Sequence, residues 1–407
     1  LSIAPEREDG SMAALSGLRV LDLSQAEAGP LCAQWLAWYG ADVVRVELPA
    51  APDVPGSRLE GGLYLANNMN KRSIVLDYRT ARGRDLLVRM VPGFDVLVEN
   101  SRPGVLDGLG LGHDVLRVVH PPLVYCSITG FGLSGPYRDY PAFDPVAQAA
   151  GGAMAVTGEA GGPPLRCNFT VADTISGTIA VTAVLAAYLQ RLRTGEGQLI
   201  ELSMQEAQLS VLRSVLLMES PDGRLIQRRG SRMTPPTDLY PCAPFGPNDH
   251  VHITAPGDRF FDRFAVAIGR PELVADERFD THEHRLLNGP ALWEIVAEWT
   301  RRRTKWEAMD TLAAAGVPAS AVIDNVDMRT NPHLVERAAF VEVVHPERGP
   351  TSVVGVPLRM GPATVAPTAA PRIGEHTVEV LAGEAGLTPE EIDELLATGI
   401  AALPRPW

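Results

Sequence analysis

The chain has 407 residues, 45% hydrophobic and 21% charged, with a formal net charge of −13. That length predicts two or three domains, and the acidic balance argues against a nucleic-acid-binding face, which needs a basic surface. No apolar run approaches the roughly 18 residues of a membrane span, and Glu6-Arg-Glu-Asp9 stands where an export signal would need its apolar core.

The four cysteines, Cys32, Cys126, Cys167 and Cys242, form no CxxC pair. They read as buried free thiols of a cytoplasmic protein.

Leu18-Arg-Val-Leu-Asp-Leu23 alternates as a strand should. Gly29-Pro30 opens a helix through Tyr39, Gly40 closes it, and Ala41–Glu47 is a second strand. Strand, helix, strand over so short a span is a βαβ unit, hence a parallel sheet. The turn after the first strand, Ser24-Gln-Ala-Glu-Ala-Gly29, lacks G-x-G-x-x-G, so the dinucleotide fingerprint is missing where it belongs. Leu48–Gly62, rich in Pro and Gly, reads as a loop. Lys71–Asp77 is a strand, Thr80 caps a helix through Met90, and Asp95–Glu99 and Leu123–Thr129 are further strands. The only G-x-G-x-x-G, Gly130-Phe-Gly-Leu-Ser-Gly135, follows a strand but runs into Pro136 and Pro141, so no helix opens there.

Asp173 precedes an apolar helix that runs to about Arg193 and stops at Gly195. Gly177, Ala180, Val184 and Ala187 recur on one side of it, which predicts a buried, closely packed helix. Asp173 reads as a plain helix cap or as a carboxylate kept ionised by the helix dipole and able to act as nucleophile or base. Asp144, followed by Pro145, reads as a turn or cap residue or as a second buried acid.

Gly197–Ser203 is a strand and Gln205–Glu219 a helix. The Pro-rich stretch from Ser220 to Pro247 marks a domain boundary. Beyond it lie a strand at His250–Thr254 and a helix capped by Asp258 that closes at Gly269. Pro290 opens another helix, and Thr304-Lys-Trp-Glu307 is a capping box for a third. Short strands fall within Phe340–Met360, and Thr388-Pro-Glu-Glu391 boxes a last helix. The pairs His250/His252 and His282/His284 lack a third ligand, so no metal site is expected. G-x-S-x-G and the P-loop signature are both missing from the chain.

Leu15–Asp22, Gly40–Glu47, Asn70-Lys-Arg-Ser73, Val98-Glu-Asn100, Arg102-Pro-Gly104, Gly130-Phe-Gly132 with Gly135-Pro136, and Thr194-Gly-Glu-Gly-Gln198 resemble the class III CoA-transferases. That family includes carnitine CoA-transferase, formyl-CoA:oxalate CoA-transferase and α-methylacyl-CoA racemase. The resemblance runs from about residue 13 through nearly the whole chain. It implies an α/β fold with a Rossmann-like large domain, residues 1–225 and 335–407, and an inserted smaller α+β domain, 226–334. It further implies an interlocked homodimer. The substrates would be an acyl-CoA and a carboxylic acid, with no metal, nucleic acid or membrane involved.

Asp173 matches the family's nucleophile, which becomes an aspartyl-CoA thioester. The coenzyme A contacts would fall at Glu27, Ala28, Leu76, Asp77, Arg79, Asn100, Ser101, Arg102, Phe143 and Asp144. Arg79 and Arg102 would be the phosphate ligands. Leu48 stands where relatives often carry Arg, which removes one phosphate contact. Formyl-CoA:oxalate transferases have Gln at the Glu27 position, Tyr at Phe143 and a run of glycines in the small domain. An ionised Glu27 would repel a small dianion, so the resemblance predicts an acceptor other than oxalate. The alternatives are a racemase or a non-catalytic acyl-CoA-binding paralogue. A racemase needs acid–base groups on both faces of the α-carbon, and its His and Glu positions here hold Phe143 and Gly257.

Overall fold

The computed structural model describes residues 12–49, 61–361 and 364–404. The acidic N-terminal arm and most of the expected loop Leu48–Gly62 lie outside these. At the loop's far edge a short helix, Gly62–Asn67, stands where no helix was expected.

A seven-stranded sheet organises the first part of the chain. Its strands are β1 (Arg19–Asp22), β2 (Asp42–Glu47), β3 (Arg72–Leu76), β4 (Val96–Glu99), β5 (Val124–Thr129) and β6 (Leu199–Ser203). The seventh is a C-terminal pair of residues, Ala401–Ala402. The order is Ala401–Ala402, then β3-β2-β1-β4-β5-β6. All pairs are parallel except the antiparallel one that Ala401–Ala402 makes with β3. The central strands are buried on both faces, as their near-continuous apolar runs require. One apolar cluster lies on each side of the sheet. One is built with Leu86, Leu87 and Val380, the other with the helix Ala28–Trp38 and the long helix Val171–Thr194. The strand order reverses between β1 and β4, and the loops leaving the C-terminal ends there open the crevice where such sheets take ligands.

The Asp173 helix runs from Val171 to Thr194 and ends on Gly195, whose φ of 78° is the left-handed conformation of a helix C-cap. By length and composition it is apolar enough to cross a membrane, which corrects the expectation that no run approaches a span. One face, with Ala172, Ser176, Gly177, Ala180, Val181, Val184 and Ala187, is committed to the core. The opposite face is not buried: Leu189 and Leu192 are exposed.

The chain divides into two compact units, 1–155 with 166–224 and 338–407, and 156–165 with 225–337. The segment 156–165, read from sequence as part of the large domain, packs with the second unit. That unit holds an antiparallel sheet of β7 (Asp238–Pro241), β8 (His250–Ile253) and β9 (Ala319–Ala321), covered by helices around Phe261, Phe264, Leu292 and Leu312. The capping boxes at Thr304/Glu307 and Thr388/Glu391 both form. His282 and His284 lie on a short helix, His282–Leu287. Phe340–His345 and Gly349–Val354 pair as a hairpin.

Candidate active site

The loops at the reversal point are tied down from below. Asp22, at the end of β1, is fully buried; Lys71 Nζ donates to its Oδ2 at 2.8 Å, to the Pro30 carbonyl at 2.8 Å and to Asn68 Oδ1 at 2.9 Å. The Arg45 guanidinium lies 3.4 Å from the same carboxylate. Burial alone would raise the Asp22 pKa, but the Lys71 and Arg45 charges hold it below the ordinary value. Burial pushes Lys71 down to about 8. Above this network Gln25 and Asn100 exchange two hydrogen bonds of 2.7 Å, joining the loops after β1 and β4. Ala26 between them has φ 60°, a left-handed backbone that a non-glycine residue adopts at a cost. The next residue is Glu27.

Three carboxyl groups converge on the first turn of the Asp173 helix. Asp144 is 3% exposed, and its Oδ1 accepts the backbone N–H of Ala172 at 2.8 Å and of Asp173 at 3.3 Å. Its Oδ2 accepts Gln148 Nε2 at 2.7 Å, while Gln148 Oε1 accepts the Cys167 N–H at 2.9 Å. Glu27 Oε1 accepts the hydroxyls of Thr170 at 2.6 Å and Thr174 at 3.4 Å. Asp173, half-buried, has no side-chain hydrogen bond among the described residues.

Asp173 is not the helix cap. It is the third residue of the helix, and Thr170 at the cap position gives its hydroxyl to Glu27 instead. Nor does the helix terminus keep Asp173 ionised as expected from the dipole alone. Asp144 has taken the free N–H groups, and Asp173 is left with burial and the charges of Glu27 and Asp144. These raise its pKa from 3.8 to about 7. Glu27 is also raised, by burial first, against its threonine bonds.

The other expected contact residues follow the same edge of the sheet. Ala28 begins its helix, and its carbonyl meets the Asp173 helix at Gly177, where a Cβ would fall 2.6 Å from that oxygen. This close approach fixes Asp173 and Glu27 side by side. Ser101 N–H donates to Glu99 at 2.7 Å. Arg102 is exposed and has no ion pair among the described residues. Arg79 forks onto Asp77 at 2.7 and 2.8 Å, so a phosphate there would have to share it. Leu76 is fully buried and can meet a ligand only through its backbone. Phe143 is 73% exposed, just before the helix Asp144–Ala150. The expectation of four buried thiols holds for Cys32, Cys126 and Cys242, while Cys167 is half-buried.

Sequence reasoning missed Thr170, Thr174 and Gln148. Asp144 and Gln148 stand four apart on one helix, a spacing that could have marked the pair. Thr170-x-x-Asp173 carries the local signature of a capping box, which places the cap at Thr170 where the structure has it, although the side-chain bond of the box does not form.

The profile of CoA-transferase family III matches residues 15–377. Formyl-CoA:oxalate CoA-transferase of Streptomyces avermitilis is 38% identical, across 95% of this chain and 99% of that protein. Succinyl-CoA–D-citramalate CoA-transferase of Chloroflexus aurantiacus is 34% identical, across 94% and 97%. Among solved structures, a CAIB/BAIF family protein from Brucella suis superposes with a TM-score of 0.81 at 30% identity, covering 91% of this chain and 99% of that one.

Proposed function

The chain belongs to CoA-transferase family III, and we propose that it is an acyl-CoA:carboxylate CoA-transferase working through an aspartyl-CoA thioester on Asp173. The observation that carries this is the Asp173 carboxyl itself: positioned by a helix end, half-buried and without a hydrogen-bond partner among the described residues. A carboxylate whose proton affinity is raised to about 7 is more basic, hence more nucleophilic, once ionised.

The steps balance without a redox partner. An Asp173 oxygen attacks the acyl-CoA carbonyl, the C–S bond breaks, and an acyl–aspartyl anhydride and CoA thiolate result. The thiolate attacks the aspartyl carbonyl and expels the acyl group as a free carboxylate, leaving aspartyl-CoA. The acceptor carboxylate then attacks that thioester, and the same steps in reverse regenerate Asp173 and release the new acyl-CoA. The group is transferred between two carboxylates in stages, each easier than a direct exchange.

The coenzyme would lie along the Rossmann-like crevice at the ends of β1, β3 and β4. There Glu27, Ala28, Asp77, Asn100 and Ser101 face it, the backbone of Leu76 borders it, and Arg102, without an ion pair among the described residues, offers its guanidinium to a phosphate. Phe143 and Asp144 close the far side. The smaller domain is inserted in the larger. Two chains interlock as a homodimer, a reading supported by apolar side chains left in solvent: Leu192 at 65%, Leu217 at 74% and Met218 at 81%. The protein acts in the cytoplasm, consistent with four free thiols.

The racemase alternative is not favoured. Phe143 and Gly257 carry no titratable proton, and the neighbouring acids are engaged, Asp144 with the helix N–H groups and Asp258 with Arg285 at 2.5 Å. The donors and acceptors to try first are those in the relatives' names, formyl-CoA with oxalate and succinyl-CoA with D-citramalate. Incubation with acyl-CoA alone should leave CoA on the peptide carrying Asp173, read by mass and released by hydroxylamine. Asp173→Ala should still bind CoA and carry no adduct. A wild-type protein that binds acyl-CoA and forms no adduct would favour the non-catalytic paralogue.

A further inference from the structure

Gln148 is wholly buried, and both ends of its amide are engaged. Its Nε2 donates to Asp144 Oδ2 at 2.7 Å and faces the carbonyls of Phe169 at 3.2 Å and Cys167 at 3.4 Å; its Oε1 accepts the Cys167 N–H at 2.9 Å. A carboxylate and two carbonyls at one end and an N–H at the other fix which way the amide lies. Gln148 therefore clasps the segment that leads into the Asp173 helix. Asp144, one turn back on the same helix, clasps the first turn itself through the N–H groups of Ala172 and Asp173. Asp144 Oδ2 has no partner but Gln148 among the described residues, so the amide also sets the direction in which Asp144 points.

This clasp bears on what Asp173 is free to do. An acid at the third position of a helix ordinarily turns back to the N–H of the cap residue. Here that box is open. Thr170 gives its hydroxyl to Glu27, and Asp144, from outside the helix, supplies the acceptor that the free N–H groups of the first turn require. The backbone of Asp173 is pinned while its carboxyl is not.

We propose that Gln148 is a positioning residue of the transferase: it holds Cys167–Phe169 and aims Asp144 at the helix end, so that the Asp173 carboxyl stands fixed and uncommitted for attack on the thioester. This rests on Asp173 being the nucleophile. Gln148 has no bond to the Asp173 side chain and acts through Asp144 and the backbone.

Few charges surround this amide. Asp144 touches it, and Asp173 and Glu27 act on one another beyond Asp144. The helix Met204–Val211 packs against the helix of Gln148 with neutral groups: Gln205 donates to the Ala150 carbonyl at 3.0 Å and Gln208 lies against Gly151, while Glu206 is exposed. No Lys or Arg bonds to Gln148 or Asp144 among the described residues. A glutamic acid in place of Gln148 would be buried against an anion and two carbonyls, which keeps it protonated at pH 6. It would then still donate to Asp144 and accept from Cys167.

The test is kcat, KM for acyl-CoA and the rate at which CoA appears on the Asp173 peptide, at pH 6, for wild type, Gln148→Met and Gln148→Glu. The donor is whichever of formyl-CoA and succinyl-CoA gives the adduct on wild type. Gln148→Met has the length of glutamine and no amide; kcat and adduct rate should fall about 10²-fold, the usual result of a nucleophile misplaced by about 1 Å. Its KM should stay within about threefold, because the coenzyme contacts along β1, β3 and β4 are untouched. Gln148→Glu loses one donated hydrogen bond and should keep kcat within about tenfold of wild type. Thermal melts establish that each variant is folded at the assay temperature. If Gln148→Met is not, Gln148→Asn takes its place, an amide one methylene too short to reach Asp144, with the same expected pattern. General loosening would raise KM as kcat falls and would treat the methionine and glutamate variants alike. Wild-type kcat in Gln148→Met, a raised KM at constant kcat, or a Gln148→Glu as slow as Gln148→Met while both melt normally would each overturn the proposal. Wild type forming no adduct would instead sink the nucleophile reading beneath it.

Discussion

Replacing Gly177 by alanine sets two effects of known size against each other. On an exposed helix the change would stabilise by about 1 kcal/mol, because alanine loses less backbone entropy than glycine. Here the added Cβ would lie 2.6 Å from the Ala28 carbonyl oxygen and 3.1 and 3.2 Å from Leu31 side-chain atoms, where real Cβ contacts stay beyond 3.0 Å. The first of these is backbone and cannot rotate away, so the helices must part by about 0.4 Å or more. Overpacking of this kind costs roughly 1–3 kcal/mol, leaving a net loss of about 0–2 kcal/mol, or a fall of up to about 4 °C in Tm for a domain of this size. Activity should fall further than stability. Gly177 is one turn from Asp173, and its contact Ala28 is next to Glu27, so parting the helices moves the two carboxyls relative to one another. A misplacement near 1 Å costs on the order of 10²-fold, and we expect a loss of about 10-fold or more in kcat. The assay is transfer between a CoA thioester and a carboxylate, followed by liquid chromatography, beside a thermal melt. A Gly177→Ala protein that melts higher than wild type and turns over normally would refute the close-packing argument.

Arg102→Ala should raise KM for acyl-CoA about 10-fold or more and leave kcat within twofold, because a phosphate contact is equal in ground and transition states; a fall in kcat at constant KM would give Arg102 another role. Asp173→Asn should raise the melting temperature, and by more at pH 8 than at pH 5. The native carboxyl holds its proton to about pH 7 against an ordinary value of 3.8, so the folded state binds more protons between these values and stability falls as pH rises through them; an equal shift at both pH values would contradict this. Sedimentation at micromolar concentration should give a dimer that does not dissociate on dilution, and a monomer would contradict the interlocked reading. A 2-methylacyl-CoA in heavy water should gain no deuterium at the α-carbon, and exchange at a rate near turnover would return the racemase.

Local patterns carried the sheet. The strands β1 to β6 each carry an apolar stretch, interrupted by Arg45 in β2 and Glu201 in β6, and Thr80, Thr304 and Thr388 each place a helix start by bonds that span three residues. What escaped was non-local or too short. Ala401–Ala402 is two residues long and becomes a strand only because β3 offers it an edge. Asp238–Pro241 contains both Asp and Pro, poor strand residues, and pairs because His250–Ile253 lies beside it.

The same division explains why Asp173 was legible as a residue and not as a charge. A carboxylate opening an apolar helix can be read from the sequence, because the helix around it is local. Its ionisation cannot, because that is set by groups far along the chain. Asp144 lies 28 residues before Ala172, whose N–H it takes, and Glu27 lies 143 residues before Thr170. The dipole argument gave the free helix end to Asp173; the fold gives it to Asp144, and the sign of the shift reverses. A lone aspartate on a helix end would be strongly acidic and a poor nucleophile. With Asp144 satisfying that end and Glu27 beside it, the same residue is left basic and unpartnered, which is what attack on a thioester requires.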